Sequence, residues 1–322
     1  MMRRSSYSHR IEYLLARGLE ALVSVAPESV SDRFASRVGS AAHSPLGIRR
    51  ATVEANLRRA FPNATEEWLN RTGRGAFRHL GREAAAMLRL ARLDAAAIRA
   101  RTDVEGWVEF EAAAREGRGA ILATGHFGNW EIGAATVAAR GLPMSAIVKR
   151  QSNPLVDARL DSTRRRLGVE TIDQREAPRA VPRALRAGKV VGIVADQDAW
   201  DAGVWVPFFG HPSSTHRGPA LFALRLGAPI FAAAAYRIPG ALRYRVTFER
   251  VIPRRTDSLE SDIVQLTADL TARLEAAIRM APEQYFWFHK RWKSLPPTEL
   301  PPGGPGTTFP GGAVIQLEDG SV

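Results

Sequence analysis

The chain of 322 residues carries 45 Lys+Arg against 33 Asp+Glu, a net charge of +12, with 45% apolar residues and no cysteine. That composition excludes disulfides, cysteine-ligated zinc and thiol nucleophiles, and the length allows a sizeable core in one large or two modest domains. The positive surplus favours an anionic membrane surface or an acidic protein over nucleic acid, because zinc-finger spacing, an RNP-like aromatic motif and a basic heptad helix are all missing. No stretch reaches the roughly 18–20 uncharged apolar residues of a membrane span. The nearest, 11–26, is interrupted by Glu12, Arg17 and Glu20. Those charges also argue against a secretory signal, so the body of the chain is expected in the cytoplasm.

Ile11, Leu14, Leu15, Leu19, Leu22 and Val23 recur at three- and four-residue spacing, which predicts an amphipathic helix over 9–26. With Arg3, Arg4, His9 and Arg10 at its start, it reads as an interfacial anchor on an anionic membrane or as an ordinary core-packed helix. Residues 28–100 are predicted helical, with turns at Pro45, at Pro62-Asn63 and near Leu93-Asp94. Thr65 before Glu66 and Glu67 is a capping threonine with acids in the first turn. A short helix over 106–115 leads into the first strand.

From residue 120 the pattern alternates. Strands are predicted at 120–124, 144–149, 170–172, 190–195, 204–209, 229–236 and 244–251, with helices at 130–140, 153–167, 177–187 and 217–227. Such alternation specifies an α/β fold with a mostly parallel central sheet flanked by helices. The last two strands, joined through Pro239-Gly240, read as an antiparallel hairpin at one edge. Leu266, Leu270, Leu274 and Ile278 stripe a C-terminal helix, and the six prolines and six glycines beyond Lys293 predict a disordered tail over 296–322.

The stretch Gly125-His126-Phe127-Gly128-Asn129-Trp130-Glu131 falls between a strand and a helix. It places an imidazole at the strand's C-terminal end, where open α/β sheets bind ligands, and a carboxylate one turn into the helix. A lone histidine near an acid is more often structural. The strand-end position, the flanking glycines and polar residues at other strand ends favour a general base, His126, whose tautomer and imidazolium Glu131 supports.

Three further clusters draw attention. Arg150 to Arg166 contains Asn153-Pro154, which opens a helix, and Arg164, Arg165 and Arg166 at its far end. They read as a solvated helix terminus or as forks for an anionic group. Asp196 and Asp198 follow the 190–195 strand and are expected to pair with these arginines rather than bind Mg²⁺. Trp205, Phe208 and Phe209 read as core or as the wall of an acyl-chain site. His211, Ser213, Ser214, Thr215, His216 and Arg217 surround a helix start suited to a phosphate, and Pro282 to Lys293 mixes aromatics with cations, which reads as aromatic packing under a basic surface or as a membrane or acidic-carrier interface.

Taken together, these stretches resemble the bacterial lipid A biosynthesis acyltransferases of the late lauroyl/myristoyl transfer steps, from about residue 50 to 297. The resemblance rests on HFGNWE at 126–131, Arg150 with Asn153-Pro154-Leu155, Arg164, Ala-Asp-Gln-Asp at 195–198, Val206-Pro207-Phe208-Phe209-Gly210, and Pro-Glu-Gln-Tyr with the later Trp and His-Lys-Arg. It implies an H-x4-D/E acyltransferase of glycerolipid-acyltransferase-like fold. Catalysis would rest on His126 and Glu131, with Arg150, Asn153, Arg164 and Asp196 at substrate-binding or otherwise essential positions. The donor implied is an acyl carrier protein thioester, with acyl-CoA the alternative co-substrate, and neither a cofactor nor a metal is expected.

The acceptor implied is a hydroxyl of a lipid A precursor, with a lysophospholipid, another glycolipid or an aminolipid as the alternative. The working place implied is the cytoplasmic face of the inner membrane, peripheral or anchored by the first helix. The division that follows is a membrane-associating helix at 1–26, one acyltransferase domain at 27–295 (helical to 100, α/β beyond) and the tail. Backbone amides near Gly128, or Arg164, are the expected oxyanion donors. A thioesterase and a non-enzymatic membrane scaffold are the rival readings.

Overall fold

The computed structural model describes residues 6–240 and 242–296. The expected tail beyond 296 and Arg3 and Arg4 lie outside them. Five helices come first: α1 (Ser6–Val25), α2 (Glu28–His43), α3 (Arg50–Ala60), α4 (Glu66–Leu90) and α5 (Ala95–Ala100). Thr65 caps α4 as expected, its Oγ1 accepting from the Trp68 amide at 3.2 Å. The α/β part runs β1 (Thr102–Glu105), α6 (Trp107–Arg115), β2 (Ala120–Thr124), α7 (Trp130–Ala139), β3 (Met144–Val148), α8 (Pro154–Arg166), β4 (Val169–Asp173), α9 (Ala177–Arg186) and β5 (Val190–Val194). It continues with β6 (Val204–Phe208), β7 (His211–Thr215), α10 (Gly218–Leu226), β8 (Ile230–Arg237), β9 (Tyr244–Val251) and α11 (Leu259–Met280).

Seven strands form the central sheet in the order β1-β9-β8-β2-β5-β3-β4. β8, β2, β5, β3 and β4 are mutually parallel, while β9 runs antiparallel to β8 and β1 follows β9. The central strands are apolar on both faces, as strands covered on both sides must be. On β2, Ala120 and Leu122 pack against α7, whose Ile132, Ala135 and Val137 are buried. Its Ile121 and Ala123 face the other layer, where Val181 of α9, Ala223 and Leu224 of α10, and Ile263 and Leu266 of α11 close the second core. A third, aromatic cluster joins α3 and α4 to Phe127, Phe208, Phe209 and the segment 285–292 at the C-terminal edge of the sheet.

Three expectations change here. The β8–β9 hairpin is not at the edge, because β1, a short polar strand with no apolar alternation to announce it, pairs outside β9. Strand β6 leaves the central sheet and pairs with β7 in a separate antiparallel ribbon. His211, Ser213, Ser214 and Thr215 therefore form a strand and not a helix cap. Of the two readings of the C-terminal segment, aromatic packing holds, because Tyr285, Trp287, Phe288 and Trp292 are buried core.

Polarity is inverted at the N-terminus. Helix α1 turns Glu20 inward to Arg159 of α8 and Arg17, while Tyr7, Leu14, Leu15, Leu19, Leu22 and Val25 stay exposed. Val30, Phe34 and Val38 repeat at four-residue spacing on the exposed side of α2. Among the described residues, no helix is long and apolar enough to cross a membrane.

Candidate active site

β2 and β5 are neighbours whose outgoing connections diverge, the first through α7 toward β3 and the second through β6, β7 and α10 toward β8. Ligands bind at such a switch point because the separating connections leave a crevice at the strand ends. Pairing extends one step past β5, the Ala195 amide donating to the O of Thr124, the last residue of β2, at 3.0 Å. His126 and Asp196, each two residues beyond its strand, are thereby brought side by side. His126 Nδ1 lies 2.7 Å from Asp196 Oδ1, and the His126 amide donates to Asp196 Oδ2 at 2.9 Å. The imidazole side chain keeps 25% exposure and the carboxylate 2%, so Nε2 is the end open to a substrate.

Burial by itself lowers the His126 pKa, but the charge of Asp196 and the hydrogen bond to it prevail and hold it above the ordinary histidine value. Conversely, burial raises Asp196, and His126 more than offsets that, leaving the carboxylate below its usual range. Arg291, only 2% exposed, shares a cavity wall with Asp196 and anchors to β7 through Ser214 O at 2.6 Å and Thr215 Oγ1 at 2.5 Å. Its field adds to the lowering of Asp196.

Backbone constraints fix the turn. Gly128 has φ +54, and a Cβ there would lie 1.9 Å from Ala235 O. At Gly125 a Cβ would meet Leu274 of α11 at 2.7 Å. Asn129 caps α7, accepting from the Ile132 amide at 2.9 Å, and its Nδ2 donates to buried Glu83 at 2.7 Å. Glu83 also accepts from Tyr244 OH at 2.8 Å and from Arg237 Nη1 at 2.9 Å, and Arg237 reaches Asp32 at 2.5 Å. One carboxylate on α4 thus ties the histidine turn to β8, β9 and α2. Nothing in the local sequence around Glu83 marks it, since its partners are remote.

The other expected site residues are distributed differently. Glu131 does not brace the imidazole: it forms a forked pair with Arg164, Nη2 to Oε1 at 2.6 Å and Nε to Oε2 at 2.9 Å. A carboxylate one turn into α7 faces α8, whereas the neighbouring strand end faces the imidazole. Asp196 accordingly pairs with histidine and not with an arginine of α8, and Asp198 donates its amide to His289 Nε2 at 3.0 Å and accepts from Ser294 at 2.9 Å. Asn153 is the N-cap of α8 and donates to His9 O at 2.9 Å and Glu12 at 3.0 Å, holding α1 in place. Arg150, on the surface at the same sheet edge, pairs with Asp157 at 3.1 Å and lies 3.5 Å from Asp173. The amides of Phe127, Gly128 and Asn129 already donate to Gly125, Gln284 and Ala235 carbonyls, which removes them as oxyanion donors in this conformation. Among the described residues, no group of three or more His, Asp or Glu side chains is arranged to hold a metal ion.

A cavity of about 690 Å³ runs from Asp196 between the sheet and α11. Small residues make the room: Ala232 and Ala234 on β8 and Ala277 on α11, with Phe208, Leu270 and Leu274 as apolar walls. Phe208 is thus both core and cavity wall.

The family described as bacterial lipid A biosynthesis acyltransferases matches the chain over residues 2–294. The chain belongs to that family. This acyltransferase is 27% identical over 270 residues to the lipid A biosynthesis palmitoleoyltransferase of Escherichia coli strain K12, covering 81% of this chain and 84% of that protein. It is 27% identical over 271 residues to the lipid A biosynthesis myristoyltransferase of the same strain, covering 84% and 81%. A phosphatidylinositol mannoside acyltransferase of Mycolicibacterium smegmatis is 25% identical over 285 residues, covering 84% and 88%.

The buried hub at Glu83 generates a stability prediction. Glu83→Gln leaves Asp32 as the carboxylate paired with Arg237, so the loss falls at the lower end for a broken buried pair, about 3 kcal/mol. Urea denaturation measures it. A loss within about 0.5 kcal/mol, the range of ordinary surface substitutions, would show that the network does not hold the turn.

Proposed function

We propose that the acyltransferase moves a fatty acyl chain from a thioester donor to a hydroxyl of a membrane glycolipid, with His126 as general base and Asp196 as the acid that orients it. The observation carrying this reading is the Nδ1 contact, 2.7 Å, to a buried carboxylate that itself lines a cavity walled in part by Phe208, Leu270 and Leu274. Nε2 takes the proton of the acceptor hydroxyl as its oxygen attacks the thioester carbonyl. The new C–O bond forms, the C–S bond breaks, and the imidazolium returns the proton to the leaving thiolate. A thioester is already activated, so direct transfer needs neither an enzyme-bound intermediate nor a metal. Glu131 and Arg164 fit a positioning role, joining the first turn of α7 to α8 beside the dyad.

A lipid A precursor is the first-choice acceptor, since two of the three relatives described act in lipid A biosynthesis. The equally extensive match to a phosphatidylinositol mannoside acyltransferase favours that glycolipid as the second reading. An acyl carrier protein as donor is supported by the net charge of +12. It is also supported by Arg179, Arg183 and Arg186, exposed on α9 without a side-chain partner among the described residues. The same surplus fits an anionic bilayer, and the outward apolar faces of α1 and α2 suit insertion at its interface. On this reading the protein is peripheral at the cytoplasmic face of the inner membrane.

The test is acylation of each glycolipid by purified protein from labelled acyl carrier protein and acyl-CoA thioesters. His126→Ala abolishes transfer. In the wild type the acid limb of kcat/KM lies above the ordinary histidine pKa of 6.5, because neutral imidazole is the active form and Asp196 raises its pKa. Asp196→Asn removes that charge, so the limb moves to lower pH while the plateau falls by about 10²–10⁴-fold. A limb that stays in place or rises would remove Asp196 from the dyad.

Membrane association is checked by flotation with phosphatidylcholine–phosphatidylglycerol vesicles. Leu14→Glu with Leu22→Glu shifts the protein to the unbound fraction without loss of folded structure. Unchanged flotation would eliminate α1 as the contact.

A further inference from the structure

Direct transfer without a covalent intermediate requires donor and acceptor at the base together, which a single hydrocarbon site does not provide. The Phe286 ring lies 5.9 Å from the His126 ring and 5.2 Å from the Phe288 ring, centroid to centroid. Phe286 and Phe288 line a second cavity of about 410 Å³, with Ala42 of α2, Phe77 and Leu80 of α4, and His289. It shares no lining residue with the larger cavity that starts at Asp196.

We propose that this second cavity receives the hydrocarbon chain of the lipid acceptor, so that two chains meet at His126 from different sides. The proposal rests on the acyl-transfer reading above and names where its second substrate lies. Three features select a lipid chain as the occupant. The walls are aromatic and aliphatic, as in sites that bury apolar ligands. His289, lowered by burial, stays neutral and accepts the Asp198 amide, so the wall holds no charge there.

Second, the mouth is itself apolar and outward-facing. Leu46 is 66% exposed and Ile48 55%, beside half-exposed Leu80, and α2 continues this surface with exposed Phe34 and Val38. A chain leaving a bilayer against α1 and α2 enters along this surface with little contact with water.

Third, the mouth carries one anchored cation. Arg49 sits at φ +57, a left-handed conformation that non-glycine residues rarely adopt. Its guanidinium donates to Phe288 O at 3.1 Å, leaving further donors for an anionic group of the lipid head.

Photolabelling with dodecyl phosphate bearing a terminal diazirine tests the cavity independently of turnover. The wild type is labelled on peptides containing Phe77 to Leu80 and Phe286 to Phe288. Ala42→Phe fills the cavity and lowers that labelling by about tenfold, leaving label on α11 and β8. Label confined to α11 and β8 in the wild type overturns the proposal. In the transfer assay, Ala42→Phe raises KM for the lipid acceptor by about tenfold with KM for the thioester unchanged. An unaltered acceptor KM, or equal rises in both, overturns it. Leu80→Trp repeats the test from the other wall, and thioester hydrolysis by water at wild-type rate shows that the dyad is intact in each variant. A wild type that acylates no lipid would defeat the transfer reading, while the labelling still decides what the cavity holds.

Discussion

The arrangement depends on one contact, a buried carboxylate held against an imidazole across two neighbouring parallel strands. Asp196 accepts both the ring nitrogen and the backbone amide of His126, so side chain and main chain are secured by the same group. That contact requires β2 and β5 to be adjacent and in register, with pairing continued to Ala195. It requires a turn tight enough for Gly128 to pass beneath Ala235 O, and α11 close enough for Leu274 to touch Gly125. The same closeness of α11 forms the wall of the larger cavity. The geometry of the imidazole–carboxylate pair and the presence of a cavity beside it therefore have a common origin.

The sequence disclosed the parts of this site that are local. A strand, a glycine-bounded turn and a helix announce His126, and a similar break after 190–194 announces Asp196. Their pairing was not legible, because strand order is not chain order: 70 positions separate the two residues. Glu131 looked the better partner for being near in sequence, yet the helix direction carries it to Arg164. Elements followed the same rule. Long periodic helices and buried strands were readable from spacing, whereas β1 and β7, polar and five residues or fewer, take their conformation from the strands beside them.

Two departures from ordinary polarity occupy different levels of the structure. Inside, Glu83 and Arg237 bury charge where apolar packing would be the default, with half-buried Asp32 at the edge of the network. Their value lies in direction, since each hydrogen bond accepts only one placement of α2, α4 and the histidine turn. Outside, α1 and α2 present leucine, valine and phenylalanine to the surroundings while α1 keeps Glu20 within. The inward ion pair with Arg159 prevents α1 from simply rolling its apolar side onto the core.

That outward face makes folding stability a property of the protein together with its medium. Apolar surface in water is unfavourable, and an amphiphile that covers it without binding the unfolded chain draws the equilibrium toward the folded form, increasingly as its free concentration exceeds its Kd. For such an amphiphile a melting temperature taken in plain buffer is a floor, and it climbs as a bilayer lipid of that kind is titrated in. Ranking variants by thermal shift is meaningful only at matched amphiphile activity.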